Sequence, residues 1–316
     1  MSRDREHPAC LIIGYSRLEG TLRVADVATR NGCRKIYLSL DGTNDPKIYA
    51  IQERIEIEFI RICEYRNSEY EIRRLSDNVG LKRAVISGID WFFEKEEEGF
   101  ILEDDLDISD SFFDYVDSVH EKFEQDSKIL LISGNQFEKS LNFVGPMLSA
   151  YPLIWGWFTN FEKWNLIKML IKGDKLAQRQ KLPLNVKMFW MLGALKSRTG
   201  ITNSWAVPFA EGFRFQGFRC IVPSVNLVSN VGTDRFAVHT KSIEVENSYP
   251  IDENGAKILL SSKSDWTYSQ QDPTYLEKNV YRIKFKHALL LVKLPYFHLK
   301  GVLAKKSFDR NYYSSK

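Results

Sequence analysis

The sequence is poor in cysteine, with four in 316 residues and no C-x-x-C pair among them. Scattered placement suits reduced core thiols better than a disulfide framework or a zinc site, as do the mostly apolar neighbours of Cys10, Cys33, Cys63 and Cys220. Long apolar runs are missing as well. Nothing approaches the roughly 20 residues that a bilayer-spanning helix needs. The opening MSRDREH holds no apolar stretch followed by a small-residue cleavage site, so a cytoplasmic start without a secretory leader is expected. No internal repeat or low-complexity tract is present.

What is there is an ordinary globular composition, 44% hydrophobic and 27% charged, enough for one large α/β domain or two smaller ones. The formal charge of +3 is unevenly spread. Residues 278–316 hold ten Lys or Arg against the single acid Asp309, which leaves 34 basic and 40 acidic residues in 1–277. A mildly acidic body thus carries a cationic extension, whose partner should be anionic.

Ala9 to Gly14 is a continuous apolar run closed by glycine, the pattern of a central strand buried on both faces. A helix is expected over 21–31 and a strand over 35–40, closed by Asp41-Gly42. Residues 45–62 look helical and then strand-like. Asn78-Val79-Gly80 precedes a helix from Leu81 to Glu94, with Val85, Ile89, Phe92 and Phe93 on one face. A strand over 99–102 runs straight into Glu103-Asp104-Asp105. A helix capped by Ser109 or Asp110 follows, and then a strand over 128–133. This alternation predicts an open, largely parallel sheet between helices, with ligands at the C-terminal ends of the strands. From residue 145 the texture turns aromatic and glycine-rich, and residues 241–277 read as an irregular excursion or linker.

Three adjacent carboxylates raise one another's pKa unless something positive compensates them. A divalent cation would do so. Hard oxygen ligands favour Mg²⁺ or Mn²⁺, which take their remaining ligands from water and substrate phosphates. Taken alone, E-D-D is also what a solvated acidic turn looks like.

The run NVGLKRAVISGIDWFFEKEEEGFILEDDLDISDSFFDYV, continuing to LLISGNQF, resembles the core of N-acetylglucosaminyltransferase I and of related haemolytic-protein-like bacterial sugar transferases of the GT-A type. The likeness continues in YPLIWGWFTNFEKW and PSVNLVSNVG, and so covers roughly residues 9–240. It implies a GT-A (Rossmann-like) α/β fold, a mixed, mostly parallel sheet flanked by helices. Residues 1–135 would form the nucleotide-sugar half and 136–240 the acceptor half. It also implies a metal-dependent glycosyltransferase using a nucleotide-diphosphate sugar, and an acid at Asp41 facing the base favours UDP.

By the same resemblance Asp105 coordinates Mn²⁺ or Mg²⁺, Asp104 approaches the ribose, and Glu103 holds metal-bound water or sugar hydroxyls. Tyr15 and Arg17 belong to the loop that packs against the nucleotide. Lys82 neutralises phosphate or is simply solvated. His239 is a second metal ligand or diphosphate contact, or structural. An inverting transferase also needs a carboxylate to take the acceptor's proton. The aspartate expected after Trp205 is replaced by Ala206, leaving Glu211 as the nearest downstream substitute. Trp155, Trp157 and Trp205 offer faces to a sugar acceptor or pack a core.

Residues 278–316 interleave Val280, Ile283, Phe285 and Leu289 to Val292 with lysine and arginine. Such a segment reads as lying on an anionic membrane surface, with a packed basic helix as the alternative. Nucleic acid is not the expected anion, since no recognised motif accompanies the charge. The expectation is a peripheral, cytoplasmic transferase acting on a glycan or lipid-linked acceptor in cell-surface polysaccharide synthesis. The alternatives are a sugar-phosphate nucleotidyltransferase and a non-catalytic carbohydrate-binding scaffold. The first would want a glycine-rich basic loop near the N-terminus, where Gly14 to Gly20 supplies one arginine.

Overall fold

The computed structural model describes residues 6–138, 143–232 and 249–288. Eleven strands and eight longer helices alternate along them. They are β1 (Cys10–Gly14), α1 (Leu18–Arg30), β2 (Lys35–Leu40), α2 (Pro46–Tyr65), β3 (Glu69–Arg74), α3 (Leu81–Phe93), β4 (Glu98–Glu103), β5 (Leu106–Ile108), α4 (Ser111–Gln125) and β6 (Ile129–Ser133). Then come β7 (Pro146–Ser149), β8 (Trp157–Asn160), α5 (Phe161–Lys172), α6 (Leu184–Arg198), α7 (Ala206–Gln216), β9 (Arg219–Pro223), β10 (Val228–Asn230), α8 (Glu253–Ser261) and β11 (Ser269–Gln270). Nine strands form one sheet in the order β11-β7-β9-β6-β8-β4-β1-β2-β3, and β5 pairs with β10 in a small ribbon. Five of the eight neighbour pairs in the large sheet are parallel. Three are antiparallel, two of them made by β8 where it inserts between β4 and β6. The protein is thus an α/β fold with a mixed, mostly parallel sheet flanked by helices, as the alternation predicted.

The sheet is buried on both faces. In β1, Leu11 and Ile13 join a core with Val85 and Ile89 of α3, Trp164 of α5, Trp190 of α6 and Phe213 of α7. Cys10 and Ile12 point the other way, toward Val24 of α1, Phe59 of α2, Phe112 of α4 and Leu259 of α8. This two-sided burial is why the strand reads as an unbroken apolar run. All four cysteines are buried free thiols, with burial pushing Cys63 and Cys220 up to about 12.

Residues 45–62 depart from expectation. The β-branched Ile55, Ile57, Ile60 and Ile62 suggested a strand, yet α2 runs unbroken to Tyr65. Its buried positions Gln52, Ile55, Phe59 and Cys63 recur every three or four residues, and Ile57 faces solvent at 51% exposure. Asp45 caps it by accepting from the Lys47 amide, with Pro46 in the first turn.

The described part of the expected irregular stretch, 249–277, is a built piece of the fold rather than a linker. Ala256 and Leu259 of α8 are fully buried, and β11 adds a parallel edge strand to β7. Short elements and polar composition hid this from a reading based on periodicity.

Candidate active site

The parallel ladder of β1 and β4 carries the acids to one edge of the sheet. Ile13 pairs with Glu103, and the Asp104 amide donates to the Ile13 carbonyl at 3.0 Å. Just beyond, Asp104 turns in beside the β1–α1 loop. Its Oδ2 accepts from the Tyr15 amide at 3.0 Å and its Oδ1 from Arg17 Nη1 at 2.9 Å. Helix α1 lies directly on this backbone. A side chain at Gly20 would meet the Asp104 carbonyl at 1.9 Å, so only glycine fits there. Asp105 is held from the other side, where its carbonyl accepts from the Val231 amide at 2.8 Å at the end of the β5–β10 ribbon.

Burial and mutual repulsion perturb the triplet. Burial first, then Asp105 and Asp104, pushes the Glu103 carboxyl up to about 8. Burial and Asp105 push Asp104 up to about 6, with Arg17 and the Tyr15 amide pulling it down. Arg17 Nη1 also reaches Asp105 Oδ2 at 3.2 Å. The compensating charge assigned from sequence to a divalent cation is thus supplied here by Arg17, which bridges two of the three acids.

The donor chemistry fits a hard cation through Asp105, with phosphate and water completing its shell, but it is not an all-protein cage. Among the described residues, the set whose ligand atoms converge within 4.8 Å is Glu98, His120 and Glu124. Glu98 starts the strand that Glu103 ends, about 16 Å away along β4. There His120 Nε2 lies 2.7 Å from Glu98 Oε2, and Glu124 accepts from Asn160.

A cavity of about 1370 Å³ opens over the strand ends and brings together Tyr15, Arg17, Asp41 and the triplet with Trp155 and Trp205. Asp41 is buried and clamps the N-V-G loop. Its Oδ1 accepts from the Gly42 and Val79 amides at 2.9 Å each, and its Oδ2 from the Gly80 amide at 3.1 Å. Gly42 is needed because a Cβ there would stand 2.5 Å from the Asp77 backbone. The start of α3 is tied to the α6–α7 loop by the Lys82 amide donating to Asn203 Oδ1 at 3.2 Å.

Three expected site residues do not face the cavity. The Lys82 ammonium turns to the Ser197 carbonyl at 3.4 Å, where burial and Arg198 lower its pKa. Trp157 is core, its ring stacked at 27° against Trp205, which does line the cavity. Glu211, the expected base, is buried in an ion pair with Arg198 Nη2 at 2.7 Å, and Arg198 also donates to the carbonyls of Leu170 and Ile171. His239 lies outside the described residues.

Sequence reasoning missed the far wall. Lys196 of α6 and Arg282, Lys286 and His287 from the start of the basic extension all line this cavity, as do Phe189, Trp190 and Tyr281. The charge excess was visible in sequence, but nothing local said that the chain folds back.

No family model matches the chain, and no curated protein matches it. Solved structures with detectable likeness include a UDP-glucose pyrophosphorylase complexed with UDP-glucose, with 8% identity, 69% of this chain and 90% of that chain covered, and a TM-score of 0.37. An inositol-1-phosphate CTP transferase from T. maritima shows 7% identity over 51% of this chain and 74% of that one, with a TM-score of 0.27. The glycosyltransferase GlyE of Streptococcus pneumoniae TIGR4 shows 13% identity over 83% and 64%, with a TM-score of 0.31. None of these three carries the name of an N-acetylglucosaminyltransferase, so the specific resemblance expected from the sequence is not shown.

Proposed function

We propose that this chain is a GT-A-type glycosyltransferase that binds a nucleotide-diphosphate sugar, with UDP favoured, and transfers the sugar to a glycan or lipid-linked acceptor. One observation carries the reading: three carboxylates at the C-terminal end of a central strand line a large cavity, and two of them, Asp104 and Asp105, are braced by the β1–α1 loop. That edge is where open α/β sheets bind nucleotides.

In the transfer, the bond from the anomeric carbon to the diphosphate oxygen breaks, a bond to the acceptor oxygen forms, and the acceptor hydroxyl's proton passes to solvent or to the departing diphosphate. Asp104, fixed by Tyr15 and Arg17, is placed to orient a ribose hydroxyl. Glu103, whose pKa is raised by burial and by its acidic neighbours when no cation compensates them, would meet sugar hydroxyls or metal-bound water. Asp105 is the residue to hold Mn²⁺ or Mg²⁺, which when bound neutralises the departing diphosphate. Arg17 is the sole cation of the β1–α1 loop and already engages Asp104 and Asp105, which disfavours a nucleotidyltransferase with a phosphate-gripping loop.

A second reading, donor binding without transfer, has one observation in its favour. Ala206 stands where the family's aspartate is expected, and Glu211 is pinned by Arg198 away from the cavity. Titration calorimetry and hydrolysis assays with UDP-sugars, with and without Mn²⁺, separate the two. Mn²⁺-dependent binding that Asp105→Ala abolishes supports the donor site, and turnover supports the transferase. Absence of any UDP or UDP-sugar binding would sink both.

A further inference from the structure

We propose that the cavity contains a second, cationic subsite that takes a phosphate group, formed by Arg282 and Lys286 with His287 on the same turn. Calling its ligand the acceptor rests on the donor reading above, but the subsite itself does not. The ligand class is a phosphate ester carried on an apolar or aromatic-compatible body.

The charges of this wall are not spent on the triplet. Arg17 already bridges Asp104 and Asp105, and neither Arg282 nor Lys286 forms an ion pair among the described residues. Burial, and then the neighbouring charges of Lys286 and Lys284, lower the pKa of His287, so the charges that act on this imidazole are positive. Arg282 and Lys286 line the cavity while exposed to water, so their charges are available to an anion that enters it.

Nor does the wall dangle. One turn of π-helix, Leu276–Val280, carries the buried Glu277, whose Oε1 accepts from the Tyr151 hydroxyl at 2.9 Å and from Arg214 Nη2 at 3.0 Å. The Tyr281 ring packs 4.9 Å from both Tyr151 and Trp190, and His287 lies 5.1 Å from Phe189. The Ile283 amide donates to the Glu277 carbonyl at 2.7 Å, holding Arg282 between them in the left-handed region, at φ 51°. A strained non-glycine residue on an anchored turn is a fixed feature, of a kind that clusters at ligand sites. Phe189, Trp190 and Tyr281 line the same cavity, with Phe189 against His287 and Tyr281 next to Arg282 in the chain, so a phosphate bound there has an apolar surface beside it.

The test is equilibrium binding to the full chain of monomeric dodecyl phosphate, glucose 1-phosphate and, as a neutral control, dodecyl maltoside. UDP with Mn²⁺ is measured in parallel. Arg282 and Lys286 are exposed, so the double variant Arg282→Gln/Lys286→Gln should keep the wild-type melting midpoint. Expected is a loss of about tenfold or more in phosphate-probe affinity, with UDP affinity unchanged, as for two charge-assisted contacts removed. Stronger binding of dodecyl phosphate identifies a lipid-linked phosphate, and stronger binding of glucose 1-phosphate identifies a soluble sugar phosphate. An equal loss of UDP affinity would assign the cations to the donor and overturn the proposal. So would phosphate probes that bind no better than dodecyl maltoside. If UDP fails to bind the wild type while dodecyl phosphate binds through Arg282 and Lys286, the donor reading falls and the subsite stands.

Discussion

Glu277→Ala should be among the most damaging single changes outside the catalytic edge. The side chain is 8% exposed and its Oε1 accepts from the Tyr151 hydroxyl and the Arg214 guanidinium, which lies over the Tyr151 ring. Removing the carboxylate leaves Arg214 as a buried charge without its acidic partner and takes the acceptor from the Tyr151 hydroxyl, which keeps its donors Trp190 Nε1, at 3.2 Å, and Arg214. Breaking a buried pair from one side costs about 3–5 kcal/mol. At about 1.5 °C per kcal/mol for a chain of 316 residues, the melting midpoint should fall by at least about 4 °C. Glu277→Gln keeps an acceptor oxygen but not the charge, and should lie between the two. Because Glu277 also anchors the turn that presents Arg282, dodecyl phosphate affinity should fall in Glu277→Gln while the protein remains folded. Differential scanning calorimetry and the binding assay read both effects. A Glu277→Ala protein that melts within about 1 °C of wild type would refute the account of this anchor.

Arg17→Met removes the charge that competes for Asp105, so Mn²⁺ affinity at pH 8 should tighten by about tenfold to a hundredfold, the worth of one charge-assisted hydrogen bond. Titration calorimetry showing unchanged or weaker Mn²⁺ binding would contradict that role. Asp41→Ala strips the acceptor from three backbone amides, those of Val79 and Gly80 in the N-V-G loop and that of Gly42, and should cost about 2–4 kcal/mol in urea denaturation as well as weakening UDP binding. Lys163 is 7% exposed with its ammonium over the Phe123 ring, and burial lowers its pKa to about 8 against acids that raise it. Its charged form is disfavoured in the fold, so the unfolded chain binds the extra proton between about pH 8 and the ordinary lysine range. Stability relative to Lys163→Met should therefore rise with pH across that window and be flat below it. A wild-type-minus-variant difference without that slope would discount the burial cost of Lys163.

The sequence by itself determined the parts that rest on local pattern. Two-sided burial demands continuous apolar runs, so β1, β2 and β6 were legible, as was the placing of Glu103-Asp104-Asp105 at a strand end. The buried face of α3 was likewise set by spacing alone. Where local signals competed, as in the β-branched half of α2, only the packing of Ile55, Phe59 and Cys63 against the sheet decided for helix. The antiparallel insertion of β8 between β4 and β6 depends on partners far apart in the chain, which no period reveals. Tertiary structure alone decided the electrostatics. Arg17 meets Asp104 and Asp105 across 87 and 88 residues. The cations of 282–287 line the same cavity as the triplet from nearly 180 positions away. Charge in a sequence is only a sum, whereas its chemistry depends on distance and burial, and those exist only once the chain has closed on itself.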